Sequence, residues 1–364
     1  MTAKRLAIVG AGVVGLMHAW AAARQGWQVR VFERDAWAVG ASVRNFGLGL
    51  VVGQPAGEML DLARHSRALW LELLPAIGTW HRAEGSLTVA RNAEEWALLQ
   101  SFHALKGGEY GTQLRTAAQL ADHQLNGIGA LSSPHEIAFE AREAIPALAL
   151  WLSERHGVEF HYRTQVHAIT LPRIETSRRR FDADRAIVCS GSDFLTLYPD
   201  AFAPLVLQRC ALQMLRLANP GPRYGSALLT GLSCLHYPSF TGIPGIDALR
   251  SRVQRDTPEL IEHGIHLIVQ QLGEAGELVV GDSHHYSGTV EPFHDERIDE
   301  LLLALAGDLL GRPLRVLQRW QGVYASGPRP FEVLNPAPRV QAVAITAGVG
   351  MSIAPALAER VIAA

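Results

Sequence analysis

Three glycines and a carboxylate near the start of the chain have the types and spacing to hold a diphosphate ligand. Gly10, Gly12 and Gly15 follow the apolar run Leu6 to Val9 in the spacing G-x-G-x-x-G, ahead of a helix-forming stretch. In a strand, turn and helix of this kind, Gly10 permits the tight turn, Gly12 lets a pyrophosphate approach the backbone, and Gly15 lets the helix pack close to the strand. The helix start at Val13 and Val14 then offers free N–H groups and a positive dipole to an anion. Gln28 to Phe32 alternates as a second strand that ends at Glu33 and Arg34. A carboxylate there can accept both ribose hydroxyls, which favours FAD or NAD over NADP.

A rival reading takes Lys4, Arg5 and the apolar run to Ala21, Ala22 and Ala23 as a secretory signal or a membrane helix. A helix through the three glycines would lose about 1 kcal/mol at each relative to alanine. The dinucleotide reading is therefore preferred, and the sequence predicts no integral membrane segment.

The elements that must position these residues belong to a chain of 364 residues, 48% hydrophobic and 19% charged, enough for a large core and two domains. A net charge of −2 gives no global field for nucleic acid or an anionic membrane. Only Lys4 and Lys106 are lysines, against 31 arginines. Cys189, Cys210 and Cys234 are odd in number and far apart, which fits neither a disulfide framework nor a zinc site and predicts a cytoplasmic location.

The segments read in order as helix Met59 to Leu74, strand SLTVA, an amphipathic stretch through Trp96 to Leu105, and helix Glu140 to Arg155. Arg178 to Arg180 reads as the solvated turn of a hairpin. CALQMLRL, SCLHYPSF, GIHLIVQQ and ELVVGDSHHY read as antiparallel strands, with a helix over Ile298 to Leu310. Adjacent His284 and His285 point to opposite faces of a strand, and His263 and His266 differ in parity, which argues against a shared metal and for mostly half-exposed histidines.

Between Glu33 and the first of these helices lies Gly40-Ala41-Ser42-Val43-Arg44-Asn45-Phe46-Gly47, and near the C-terminus lies Ala347-Gly348-Val349-Gly350-Met351-Ser352 before a helix. With the glycine turn and the AIVCSGS run from Ala186, these segments resemble the D-amino-acid oxidase family of flavoproteins, which includes glycine and sarcosine oxidases. The resemblance implies that Ser42 touches the diphosphate and that Asn45, Phe46 and Gly47 border the flavin ring. It implies that Val166 meets the adenine, that Ser190 and Gly191 form the small-residue turn after a core strand, and that Gly348, Gly350, Met351 and Ser352 meet the flavin pyrimidine. Free N–H groups and a helix dipole suit the negative charge that reduced flavin gathers there. HGIHLIVQQ, GDSHHYSGTVEPF and RWQGVYAS resemble more closely a branch associated with 2-aminoethylphosphonate breakdown.

Two departures from the family pattern matter. Where some relatives attach flavin through a C-x-Y cysteine, this chain has Gly322-Val323-Tyr324, which predicts non-covalent FAD. Where sarcosine oxidases place a lysine over the flavin, this chain has Val279, so the electron acceptor is left open between oxygen and another acceptor.

The expected fold is α/β: a discontinuous Rossmann-type FAD domain (1–84, 135–205 and 320–364) and an α+β substrate domain with an antiparallel sheet (85–134 and 206–319). The expected activity is oxidation of a small primary or secondary amine, an amino acid or an amino- or N-methylaminophosphonate, by hydride transfer to flavin, giving an imine that hydrolyses. A substrate anion calls for an arginine fork or a similar donor. Arg329 is the first choice, with Arg44 and His284, the latter beside Tyr286, as the other candidates. Two rivals are an NAD-dependent dehydrogenase and a non-catalytic FAD-binding redox sensor.

Overall fold

The computed structural model describes residues 4–364. The glycine spacing folds as its chemistry requires, into β1 (Arg5–Val9), a turn, α1 (Val13–Arg24) and β2 (Gln28–Phe32). β1 and β2 pair in parallel, from Arg5 opposite Gln28 to Val9 opposite Phe32. Parallel neighbours need a crossover, and α1 supplies it, with Leu16, Met17, Ala19 and Ala22 buried against the sheet and the C-terminal helix Gly350–Ala363. A Cβ on Gly15 would stand 1.9 Å from the Gly10 carbonyl oxygen, so only glycine lets α1 lie this close. The signal or membrane reading of this stretch is corrected by that geometry, and no described helix is long and apolar enough to cross a membrane.

A fourteen-stranded sheet organises the molecule. Around β1 it is parallel: Arg185–Val188 lies on one side, followed by Val340–Ala347, and β2 and Glu159–His161 lie on the other. Beyond Val340–Ala347 the neighbouring pairs are antiparallel, except that Ser86–Ala90 runs parallel to Ala227–Thr230. The 22-residue strand Val316–Ala337 pairs with Gln208–Leu217 along its first half and with Val340–Ala347 along its second. It therefore spans both parts of the sheet and crosses the boundary expected at residue 320.

Helix Glu58–Ile77 clamps the C-terminal helix from outside, where Trp70 Nε1 donates to the Met351 carbonyl at 2.8 Å and Ser66 Oγ accepts from the Ala356 amide at 3.1 Å. The expected helices also appear at Ala93–Tyr110, Ala141–His156 and Glu296–Leu310. Arg178, Arg179 and Arg180 are exposed at a hairpin turn.

One expected strand is absent. SCLHYPSF folds as two 3-10 turns, Gly231–Leu235 and Pro238–Phe240, closed by bonds such as His236 N–H to Ser233 O at 3.1 Å. Pro238 has no N–H to give a ladder, and local turn bonds replace it.

Candidate active site

A cavity of about 460 Å³ runs from the β1–α1 turn to the far ends of the antiparallel strands. Gly10, Gly12, Val13, Val14, Glu33, Arg34 and Ser42 line one end of it. Glu33 is fixed before any ligand arrives: Oε2 accepts from the Ala11 amide and Oε1 from the Asp35 amide, both at 3.0 Å. Each carboxylate oxygen keeps a further lone pair for a hydroxyl. Ser42 Oγ accepts from the Val13 amide at 2.8 Å, so the loop after β2 is pinned to the start of α1. Arg34 donates from Nη1 to Asp193 Oδ2 at 2.8 Å.

Val166, Cys189, Ser190, Gly191, Asn45, Phe46, Gly348, Gly350, Met351 and Ser352 line the middle. Asn45 braces its own loop, donating from Nδ2 to Ala41 O at 2.8 Å and accepting from the Gly47 amide at 2.7 Å. Ser352 Oγ accepts from the Leu50 amide at 3.0 Å and ties the C-terminal helix to that loop. Burial raises the Cys189 thiol well above its ordinary range, which leaves it an inert apolar contact. Gly47 is the exception among the expected ring neighbours: it does not line the cavity. Its φ is +64°, and a Cβ there would stand 1.8 Å from Phe139 O, so it serves the backbone fit to strand Ile137–Phe139.

At the other end the structure gathers His236, Tyr237, His266, Asp282 and His284. Strands Ile268–Leu272 and Glu277–Gly281 form a hairpin with Ile268 opposite Gly281. Continuing its register, the His266 and Asp282 backbones exchange N–H···O bonds of 3.3 and 3.2 Å. His236 enters from the 3-10 turn. The three imidazoles each bring a ring nitrogen within 4.8 Å of the others. Their carboxylate neighbour lies 3.3 Å from His266 Nε2 and 3.9 Å from His284 Nε2. Burial pushes the Asp282 carboxyl up to about 6. Burial, then a charge on His284, push His236 down to about 3, and burial, then charge on the other two rings, hold His266 well below the ordinary imidazole range.

The parity reading gives His284 buried and His285 exposed, as observed, but the strand it assumes breaks into Glu277–Gly281 and His285–Ser287, with His284 in the segment between. It did not reach the group that forms, because that group draws on three segments, and the expectation of half-exposed histidines is corrected for His266 and His284. The sequence groups His236, His263, His266, His284 and His285 and leads one or two of them to be expected at the substrate, but it does not point to Tyr237 or Asp282. The Gly-rich turn between GIHLIVQQ and ELVVGDSHH was the available signal: folding it as a hairpin brings His266 to Asp282.

Of the anion candidates, Arg44 and His284 line the cavity, whereas Arg329 and Tyr286 do not. Arg44 donates from Nη1 to Gln321 O at 3.3 Å, and its carbonyl accepts from Trp320 Nε1 at 3.1 Å. Arg329 is turned away from the cavity by an ion pair with Glu332, Nε to Oε1 2.9 Å, in which the arginine side chain is 65% exposed and the glutamate 1%. Tyr286 is exposed and stacks on the outer side of His284 with ring centroids 6.2 Å apart.

Comparison with known proteins agrees with this geometry. Glycine oxidase from Bacillus cereus superposes with a TM-score of 0.80 at 16% identity, over 99% of this chain and 94% of that one. L-proline dehydrogenase from P. horikoshii gives 0.77 at 16% identity, over 99% and 92%. A curated relative, the putative thiamine biosynthesis oxidoreductase ThiO of Rhizobium etli, is 30% identical over 193 residues, which is 52% of this chain and 54% of that protein. The chain thus spans about half the length of that relative. Residues 5–364 match the family described as DAO, FAD dependent oxidoreductase. With a match along nearly the whole chain and a turn, carboxylate and cavity suited to such a dinucleotide, the protein belongs to the DAO family of FAD dependent oxidoreductases.

Proposed function

We propose that this protein oxidises a small primary or secondary amine bearing an acidic group, an amino acid or an amino- or N-methylaminophosphonate. The observation that carries the reading is that one cavity joins the dinucleotide turn to a polar group of histidines and a carboxylate. The residues present fit FAD. Glu33 would hold the adenosine ribose, the amides at the start of α1 with Ser42 the diphosphate, and Val166 the adenine. Asn45, Phe46 and the Gly348–Ser352 turn would border the ring. When bound, FAD supplies the acceptor for two electrons from the carbon beside the amine, and the resulting imine hydrolyses in water. The protein's part is to hold the amine in its neutral form against that carbon's oxidation, to exclude water with Phe46, Leu48 and Leu212, and to fix the acidic group.

Arg44 is the arginine we assign to that acidic group, because it lines the cavity between the expected ring position and Gln321. Residues 1–84, 135–205 and 320–364 are proposed as the FAD part and the remainder as the substrate part, in a protein of the reducing cytoplasm. Gly322 stands where a C-x-Y thiol would be needed, so the flavin is held without a covalent bond and acid precipitation should release all yellow colour.

Mixing the FAD-loaded protein anaerobically with glycine, sarcosine, D- and L-alanine, proline, 2-aminoethylphosphonate and its N-methyl derivative tests the reading. At least one is expected to bleach the flavin. A yellow protein that none of them reduces would favour a non-catalytic redox sensor, and a colourless protein that binds NAD would remove the FAD assignment.

A further inference from the structure

The histidine and aspartate end of the cavity presents a ring lone pair to a buried carboxylate. His284 Nδ1 lies 2.8 Å from Gly264 O, and a carbonyl only accepts, so the neutral ring carries its proton on Nδ1 and a lone pair on Nε2. His266 Nδ1 faces Ser233 Oγ at 3.3 Å, and that hydroxyl also lies 3.4 Å from Leu267 O, so its one proton satisfies either acceptor and the free lone pair fixed by geometry is the one on His284. Both Nε2 atoms face the Asp282 carboxylate, at 3.3 and 3.9 Å. Asp282 is 5% exposed, and its Oδ1 finds no donor among the described residues. A buried carboxylate that faces the lone pair of His284 is costly unless a cation joins it.

The ring geometry says which cation. His236 and His266 stack with centroids 4.1 Å apart and 24° between their planes, and His236 and His284 with 4.3 Å and 39°. A metal sits in the plane of each ligating ring along its lone pair. Stacked rings send their lone pairs side by side, so the three do not converge on one ion. The cation that fits is one that donates an N–H proton.

We propose that this group is the proton acceptor for the substrate's ammonium: His284 Nε2 takes the proton, and Asp282 positions and neutralises the imidazolium that results. The N–H bond of the ammonium breaks, its electron pair stays on the nitrogen, and the proton moves to Nε2, so the amine is neutral when its neighbouring C–H is oxidised. His236 and His266, held neutral by burial and by the charge on His284, keep a second positive charge out of the group. The groups that face His284 are Asp282 on its own segment, His266 beside the hairpin, His236 from the 3-10 turn and Tyr286; Tyr237 stands behind His236 and His266, and Tyr324 behind Tyr286. This inference rests on the amine-oxidation reading, and it reassigns His284 from the substrate's anion to its cation.

Two measurements on the FAD-loaded protein test it. With histidine labelled by 15N and no amine present, one buried ring is expected to gain a proton as the pH is lowered, and that signal is expected to vanish in His284→Gln and to weaken in Asp282→Asn. In anaerobic flavin reduction by sarcosine and by 2-aminoethylphosphonate, His284→Gln should be slower by about 100-fold near neutral pH, the scale of general-base catalysis. The deficit should close as pH rises toward about 10, where an amine near the lysine range reaches the site already neutral. A purely structural role would leave the deficit constant with pH, and that outcome overturns the proposal. So does a His284 ring that stays neutral throughout, or one metal ion retained per chain and lost in His236→Ala. A ring that titrates as expected beside a flavin that no amine reduces would instead sink the amine-oxidation reading and, with it, the ammonium as the source of the proton.

Discussion

The two ends of the cavity are built from different materials. The glycine end is made of backbone: amides of Ala11 and Val13, a carboxylate and a hydroxyl that those amides already hold, and glycines that let them approach. Its residues lie within one stretch of about forty, so local spacing specifies it. The histidine end is made of side chains from a 3-10 turn, a hairpin arm and the segment beyond it, and only tertiary packing brings them together. A site of backbone tolerates changes in side chain and binds a part common to many relatives. One made of side chains can change its ligand with a few substitutions, which suits the half of the cavity that must differ among family members.

The comparison is open to being broken. The largest effect should come from beneath the glycine end, where His18 on α1 is fully buried, its Nδ1 2.7 Å from Val14 O and its Nε2 without a partner. Burial first, then Arg185, hold its pKa down to about 4 against a single backbone hydrogen bond. The unfolded chain binds the proton near 6.5 and the folded one near 4, so stability is complete above the higher value and lost as pH falls from about 6.5 to about 4. A shift of that size corresponds to about 3 kcal/mol. Urea unfolding across this window should show the slope in the wild type and lose it in His18→Leu; an unchanged slope in that variant would place the acid sensitivity elsewhere, the histidine end included.

Next in size is a double dissociation between the ends. Glu33→Ala should weaken FAD by about 1.5 to 3 kcal/mol, the range for a hydrogen bond to a charged group, and leave the KM of the loaded enzyme unchanged. Arg44→Ala should lower kcat/KM for an acidic amine by about the same amount with FAD affinity kept. Isothermal titration and steady-state kinetics on both variants read this out. If Arg44→Ala loses FAD instead, the boundary between the two ends lies beyond residue 44.

The smallest effect concerns a residue that belongs to neither end. Arg329→Ala should leave both FAD affinity and kcat/KM as they are while unfolding about 1 to 2 kcal/mol more readily, because it leaves Glu332 buried without its exposed partner. A raised KM in that variant would return Arg329 to the substrate.

What could be read in the sequence follows from the same contrast. Gly10, Gly12 and Glu33 sit at a spacing that a strand, turn and helix explains and line the cavity, Gly15 packs α1 against the turn, and Ser42, expected from the family resemblance, lines the cavity too. Gly47 was read as a flavin neighbour from its place in the loop, yet it answers to the strand at Phe139, a contact 92 residues away in sequence that no local pattern records. Arg329 is favoured because GPRPF lies near where family relatives place a substrate-anion arginine, but Glu332, three residues on in a continuous strand, claims it first. Strand parity could not group the histidines, because the chain delivers His284 between two short strands and His236 on a turn where continuous strands were expected.

The strand order of the parallel region also sets a schedule for the protein's birth. β1 takes its inner neighbour from residues 185–188, and that strand takes its own from 340–347. At translation rates of about 5 to 20 residues per second, roughly 15 to 70 s separate the emergence of the first strand from that of the last. Throughout that interval the apolar flanks of β1 and α1 have no finished sheet or terminal helix to cover them. A chain stalled before residue 340 holds the glycine turn in full but cannot close the site around its ligand.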